Sequence, residues 1–136
     1  MTEAVAQAMH ASLQDKRVLV VEDEAIIALL FETELLDAGA EVVGPAATIG
    51  EALRLIEAAA CDGGLSAAVL DIKLVDAEIR PVAERLAALG VPFLFATGYS
   101  DAAARKQHGG APVLQKPLGV RELATAVEAL AIRNRR

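Results

Sequence analysis

Five side chains in this sequence have the types and the spacing to handle a phosphoryl group. They are Glu22 and Asp23 in "VLVVEDE", Asp71 in "AVLDIKL", Thr97 in "FATGYS" and Lys116 in "LQKP". Each follows or closes a short apolar run. Three carboxylates brought together repel one another unless a hard cation sits among them, and oxygen ligands with room for water suit Mg²⁺. Asp71 is then the candidate nucleophile, able to take a phosphoryl group as an aspartyl phosphate. Lys116 adds a compact positive charge on a long stem, and Thr97 a hydroxyl. In such chemistry the protein chiefly positions groups and neutralises charge on the transferred oxygens. A plainer reading of the acids at 22–24 is that they begin a helix, where the dipole favours negative charge. Glu24 is the acid best placed for that role.

The elements that must position these groups follow from periodicity. Apolar runs start at Arg17 ("RVLVV"), Glu41 ("EVVGPA"), Ala67 ("AAVLDI"), Pro92 ("PFLFAT") and Ala111 ("APVLQK"), and helical patterns alternate with them. Ile49, Ala52, Leu53, Ile56 and Ala60 share one helical face, as do Val120, Leu123, Ala124, Val127, Leu130 and Ala131. Val82, Leu86 and Leu89 mark a helix ending near Gly90, and the segment 100–108, with Ser100 as N-cap, is a weaker one. The segment Ala25 to Ala38 is apolar nearly all round in its first two turns, which predicts deep packing against a sheet, with Gly39 as its stop. Strands alternating with helices imply an α/β, doubly wound (βα)5 fold with a parallel five-stranded sheet covered on both faces. Ligands collect at the carboxyl ends of such strands, where Glu22, Asp23, Asp71, Thr97 and Lys116 are expected to converge.

Bulk properties exclude several classes. The chain has 136 residues, 54% hydrophobic but only 3% aromatic, so its core must be built from Ala, Val, Leu and Ile. A net charge of −6, from 13 basic and 19 acidic residues, argues against a phosphate-neutralising nucleic-acid binder. Arg133, Arg135 and Arg136 form a small basic tail that reads as a solvated helix end. The apolar run Ala25 to Phe31 is far too short to span a bilayer. A single cysteine, Cys61, and no secretory leader pattern predict a cytoplasmic protein. Cys61, His10 and His108 form no ligand or catalytic motif, and Gly109 and Gly110 read as a turn.

"VLVVEDE", "AVLDIKL", "FATGYS" and "LQKP", in that order and spacing, resemble the receiver domain of two-component response regulators over roughly residues 16 to 132. The resemblance implies a flavodoxin-like sheet of strand order 2-1-3-4-5, with Asp71 as phosphoacceptor and Glu22 and Asp23 as the acidic pair serving Mg²⁺. It further implies that the Lys73 carbonyl is a metal ligand and that Thr97 follows the phosphoryl group on activation. Lys116 would contact that group, and the Lys116 to Pro117 peptide bond would be cis. "PFLFATGYS" with "PVLQKP" is similar to the single-domain FAT GUY regulators of alphaproteobacterial stress signalling. The expected partners are a sensor histidine kinase or a histidine phosphotransfer protein, and a downstream protein. Direct DNA binding, a membrane segment and turnover of a metabolite are not expected. Autophosphorylation and autodephosphorylation are the only reactions implied.

Three features depart from the family pattern. Val113 stands where receivers often carry an aromatic switch residue, and Tyr99 is either its replacement or a half-buried rim residue. The loop "KLVDAEIRP" lacks the Met-Pro and later glycine common in this loop. Lys73 either slows attack by water on a phosphoaspartate or points into solvent. The extension 1–15 carries Val5, Met9 and Leu13 at helical spacing and is either a docking helix or a frayed terminus, while residues 133–136 form the tail. A haloacid-dehalogenase-like phosphatase fits poorly, since its nucleophile follows the first strand and no aspartate lies two residues after Asp71. A phosphorylation-independent interaction module of the same fold is the remaining alternative.

Overall fold

The computed structural model describes residues 12–71, 79–97, 111–116 and 121–133. Five strands are present: β1 (Arg17–Val21), β2 (Glu41–Ala46), β3 (Ala67–Asp71), β4 (Phe93–Thr97) and β5 (Val113–Gln115). Among the described residues the helices are α1 (Ala25–Asp37), α2 (Ile49–Ala60), α3 (Arg80–Ala88) and α4 (Glu122–Arg133). The strands form one sheet in the order β2-β1-β3-β4-β5, and every pair is parallel. This is the doubly wound, flavodoxin-like arrangement that the alternation of runs predicts. The expected helix at 100–108, the loop after Asp71 with Lys73, the residue Tyr99 and the Lys116 to Pro117 bond lie outside the described residues.

Because side chains alternate across a strand, each central strand feeds two cores. Val18 and Val20, Ala67 and Val69, and Leu94 and Ala96 point to one face, where Phe31 and Leu35 of α1 and Leu123 and Val127 of α4 cover them. Leu19 and Val21, Ala68 and Leu70, and Phe95 point to the other, against Ile56 of α2 and Val82 and Leu86 of α3. Burial on both faces is why these strands read as continuous apolar runs with no polar alternation.

Three local devices hold the layers in place. The Thr48 hydroxyl accepts the Glu51 N–H at 3.1 Å, and the Glu51 carboxylate accepts the Ala47 N–H at 2.9 Å, so the start of α2 is capped in both directions. The Glu34 carboxylate on α1 accepts the Ala124 N–H at 2.8 Å, satisfying an orphan donor in the first turn of α4. In β2 the pairing register jumps between Leu19 and Val21, opposite Gly44 at φ +96°. A Cβ on Gly44 would lie 2.8 Å from the Ala46 nitrogen and 2.9 Å from the Val20 oxygen, so only glycine fits this irregularity.

Two findings bear on the sequence-based expectations. Leu13, assigned above to the extension, is fully buried beside Phe31, Leu35 and Ala38, and its N–H donates to the Ala38 carbonyl at 2.8 Å. The packed body therefore includes Leu13. In addition, α1 is apolar nearly all round in its first two turns yet buries only one side, through Ala28, Phe31 and Leu35. Ile26, Leu29, Leu30 and Leu36 are exposed, because a single helical layer covers each sheet face and nothing described lies outside α1.

Leu13→Ala is expected to destabilise the fold by about 2–4 kcal/mol, the usual range for truncating a fully buried leucine. Urea denaturation compared with the unaltered chain measures this. A loss below about 0.5 kcal/mol, typical of surface positions, would place Leu13 outside the core.

Candidate functional site

The parallel registers align the carboxyl ends of four strands. Val21 of β1 pairs with Leu70, so Glu22 comes level with Asp71; Asp71 pairs with Ala96, one residue before Thr97; and Thr97 pairs with Gln115, one residue before Lys116. Two backbone bonds extend the ladder past the strand ends: the Glu22 N–H donates to Ala46 at 2.9 Å and the Lys116 N–H to Thr97 at 2.7 Å. The first depends on the irregularity at Gly44, which brings the Ala46 carbonyl opposite Glu22. Residues 94 positions apart in the chain are thus placed by sheet pairing alone.

Glu22, Asp71 and Thr97 are the buried polar residues of the described chain. Glu22, Asp23 and Asp71 each offer a carboxylate oxygen, and these oxygens all lie within 4.8 Å of one another. Lys116 extends from the edge strand into this cluster. Its Nζ is 2.5 Å from Glu22 Oε1 and 3.8 Å from Asp71 Oδ1, so the lysine is paired chiefly with Glu22. The other Glu22 oxygen, Oε2, accepts the Glu24 N–H at 3.1 Å. The carboxylate that meets the start of α1 is consequently that of Glu22. Glu24 occupies the N-cap position without a side-chain capping bond.

Burial and the neighbouring Asp71 charge push the Glu22 carboxyl up to about 7, against the opposing pull of the Lys116 hydrogen bond and the Glu24 N–H. Desolvation is the main cause, and the Lys116 ammonium offsets it only in part. Three converging oxygens, with Asp23 only half-buried, fit a hard divalent cation that keeps part of its water shell. Such an ion would add positive charge, favouring the ionised forms of the carboxylates.

The structure brings together Glu22, Asp23, Asp71 and Lys116, and it sets Thr97 at the end of the adjacent strand. Lys73 and Tyr99 fall outside the described residues. Val113 lies in β5, half-buried against the core that α2 and α3 cover. Sequence reasoning missed the preference of Lys116 for Glu22 over Asp71 and the dependence of Glu22 on β2. The dipeptide Gly44-Pro45 in "EVVGPA" was the available signal for the second, since glycine inside a strand run marks an irregularity.

Comparison with known proteins agrees with this geometry. No protein-family model matches the chain, and no curated protein matches it. Solved structures do. A CheY-like response regulator receiver domain protein from Methanospirillum hungatei JF-1 is 29% identical, with a TM-score of 0.73 over 88% of this chain and 95% of that one. The non-phosphorylated HemR receiver domain from Leptospira biflexa is 27% identical, with a TM-score of 0.72 over 86% of this chain and 94% of that one. A response regulator receiver protein from Sinorhizobium medicae WSM419 is 27% identical, with a TM-score of 0.72 over 88% and 97%. The fold is that of CheY-like receiver domains. Together with the acidic cluster, these similarities support a response regulator receiver. No helix among the described residues is long and apolar enough to cross a membrane.

The raised Glu22 carboxyl carries a signed pH dependence. Its folded pKa of about 7 lies above the ordinary 4.5, so the folded state holds the proton more tightly through that window. With a chelator present, stability from this group should fall as pH rises from about 4.5 to about 7. The melting temperature of Glu22→Gln should vary less over the same range. A wild-type curve as flat as that of the variant would contradict the assignment.

Proposed function

We propose that the chain is a response regulator receiver in which Asp71 accepts a phosphoryl group from a histidine kinase or histidine phosphotransfer protein. The observation that carries the reading is the convergence of Glu22, Asp23, Asp71 and Lys116 at the carboxyl edge of a receiver-type sheet. An Asp71 carboxylate oxygen attacks phosphorus in line, a P–O bond forms as the donor P–N bond breaks, and the imidazole leaves with the bonding pair. Glu22 and Asp23, with Asp71 and the Lys73 carbonyl, would hold Mg²⁺. When bound, that ion neutralises charge on the transferred oxygens. Lys116 is within one side-chain movement of the acceptor, and leaving Glu22 for the phosphoryl oxygens completes the charge balance. Thr97 supplies the hydroxyl that follows the phosphoryl group, with Tyr99 relaying its movement to the surface.

The same motifs support the single-domain FAT GUY type, acting in the cytoplasm through protein contacts in stress signalling. The domain catalyses its own phosphorylation and dephosphorylation, binds no DNA directly and turns over no metabolite.

Intact mass after incubation with a small phosphodonor tests the reading. The unaltered chain should gain one phosphoryl group in the presence of Mg²⁺ and none in chelator, and Asp71→Asn should gain none under either condition. If neither a small donor nor a panel of phosphorylated kinases labels the chain, while Asp71→Asn binds its partner as well as wild type, the phosphorylation-independent module replaces this proposal.

A further inference from the structure

The acidic site is tied to the first turn of α2 through a single peptide group. The Ala46 carbonyl accepts the Glu22 N–H at 2.9 Å, and the nitrogen of the same peptide, that of Ala47, donates to Glu51 Oε1 at 2.9 Å. Glu51, the Ala46–Ala47 peptide and Glu22 thus form one hydrogen-bonded chain, running from a carboxylate of α2 to the backbone of the acidic pair. Glu51 is the third residue of α2, and the usual partner of a glutamate there is the N–H of the N-cap residue, here Thr48. Glu51 instead bonds one residue earlier, to the peptide that faces Glu22. Capping alone gives no reason for that partner.

This peptide sits where the pairing of β1 with β2 is irregular. The register shifts between Leu19 and Val21, Gly44 turns the strand at φ +96°, and Ala46 is the last residue of β2. A peptide at a strand end can rotate about its flanking bonds, and rotation would swing the carbonyl away from Glu22. The bond from the Ala47 N–H to Glu51 opposes this, since the two polar groups of one peptide share a rigid plane. A carboxylate on the N–H also polarises the peptide, so its carbonyl accepts more strongly. Glu22 is the first residue past β1, so the Ala46 bond holds the backbone from which both Glu22 and Asp23 project.

We propose that Glu51 is a positioning residue for the acidic site. By fixing the Ala46–Ala47 peptide it sets the backbone of Glu22 and Asp23, and so strengthens the hold of Glu22, Asp23 and Asp71 on a divalent cation. The inference rests on the metal-site reading given above and involves no phosphoryl group.

Titration of Mg²⁺ into the full chain, followed through the Asp23 amide resonance, provides the test. Glu51→Ala should weaken Mg²⁺ binding about fivefold, less than the roughly 10- to 100-fold typical when a group touching a metal ligand is removed. Glu51→Gln keeps an acceptor oxygen without the charge and should bind Mg²⁺ nearly as tightly as the unaltered chain. Thr48→Ala removes the hydroxyl that accepts the Glu51 N–H, and should lower the melting temperature while leaving the Mg²⁺ affinity unchanged. In the metal-free protein the Glu22 amide should exchange with solvent faster in Glu51→Ala than in Thr48→Ala. Equal Mg²⁺ affinity in Glu51→Ala and the unaltered chain would overturn the proposal. So would an equal loss in Thr48→Ala, the mark of capping alone, or in Glu51→Gln, the mark of charge alone. An unaltered chain that binds no Mg²⁺ would remove the metal site itself, and the proposal with it.

Discussion

The structure depends on one electrostatic constraint: the Glu22 carboxylate is buried beside Asp71, with the Lys116 ammonium as its nearest positive charge. Placing acids together at the end of a sheet is costly, and burial raises that cost by removing solvent screening. The apolar core must offset it, and a divalent cation among the three carboxylate oxygens would relieve it. Burial above all, with the Asp71 charge adding to it, holds the Glu22 carboxyl up at about 7 even with Lys116 beside it.

Strand pairing turns that constraint into a defined geometry. Glu22, Asp71 and Lys116 are brought together by pairing between strands distant in the chain. Asp71 is the last residue of a strand buried along its whole length, and its register with β1 and β4 is set by Val69, Leu70 and the residues they face. Glu22 is held from the opposite side by Ala46, through a strand irregularity that only Gly44 permits. A one-residue slip would exchange the two core faces, so the packing that specifies the fold also specifies the site.

Lys116 bridges two acids of the site unequally. Its closer partner is Glu22 at 2.5 Å, and Asp71 is 3.8 Å away, so one ammonium neutralises Glu22 while staying near the second acid. Glutamate at position 22 has one methylene more than aspartate, which helps it reach both Lys116 and the Glu24 N–H. The result couples three features: the acid that meets the start of α1, the cation at the end of β5, and Asp71 at the end of β3.

The sequence by itself determined the order of the elements, the parallel sheet and the identity of the convergent acids and lysine. Apolar runs and helical periodicity are local properties, and the strand ends carry the polar residues. It also showed that the first two turns of α1 are apolar nearly all round, but the inference of deep burial failed, since hydrophobicity does not say how many layers surround a helix. Only the tertiary structure decided that Leu13 belongs to the core, that Glu22 takes Lys116, and that Glu34 caps α4 across 90 residues. These are pairings between distant segments, and their partners are chosen by three-dimensional packing that no local pattern encodes.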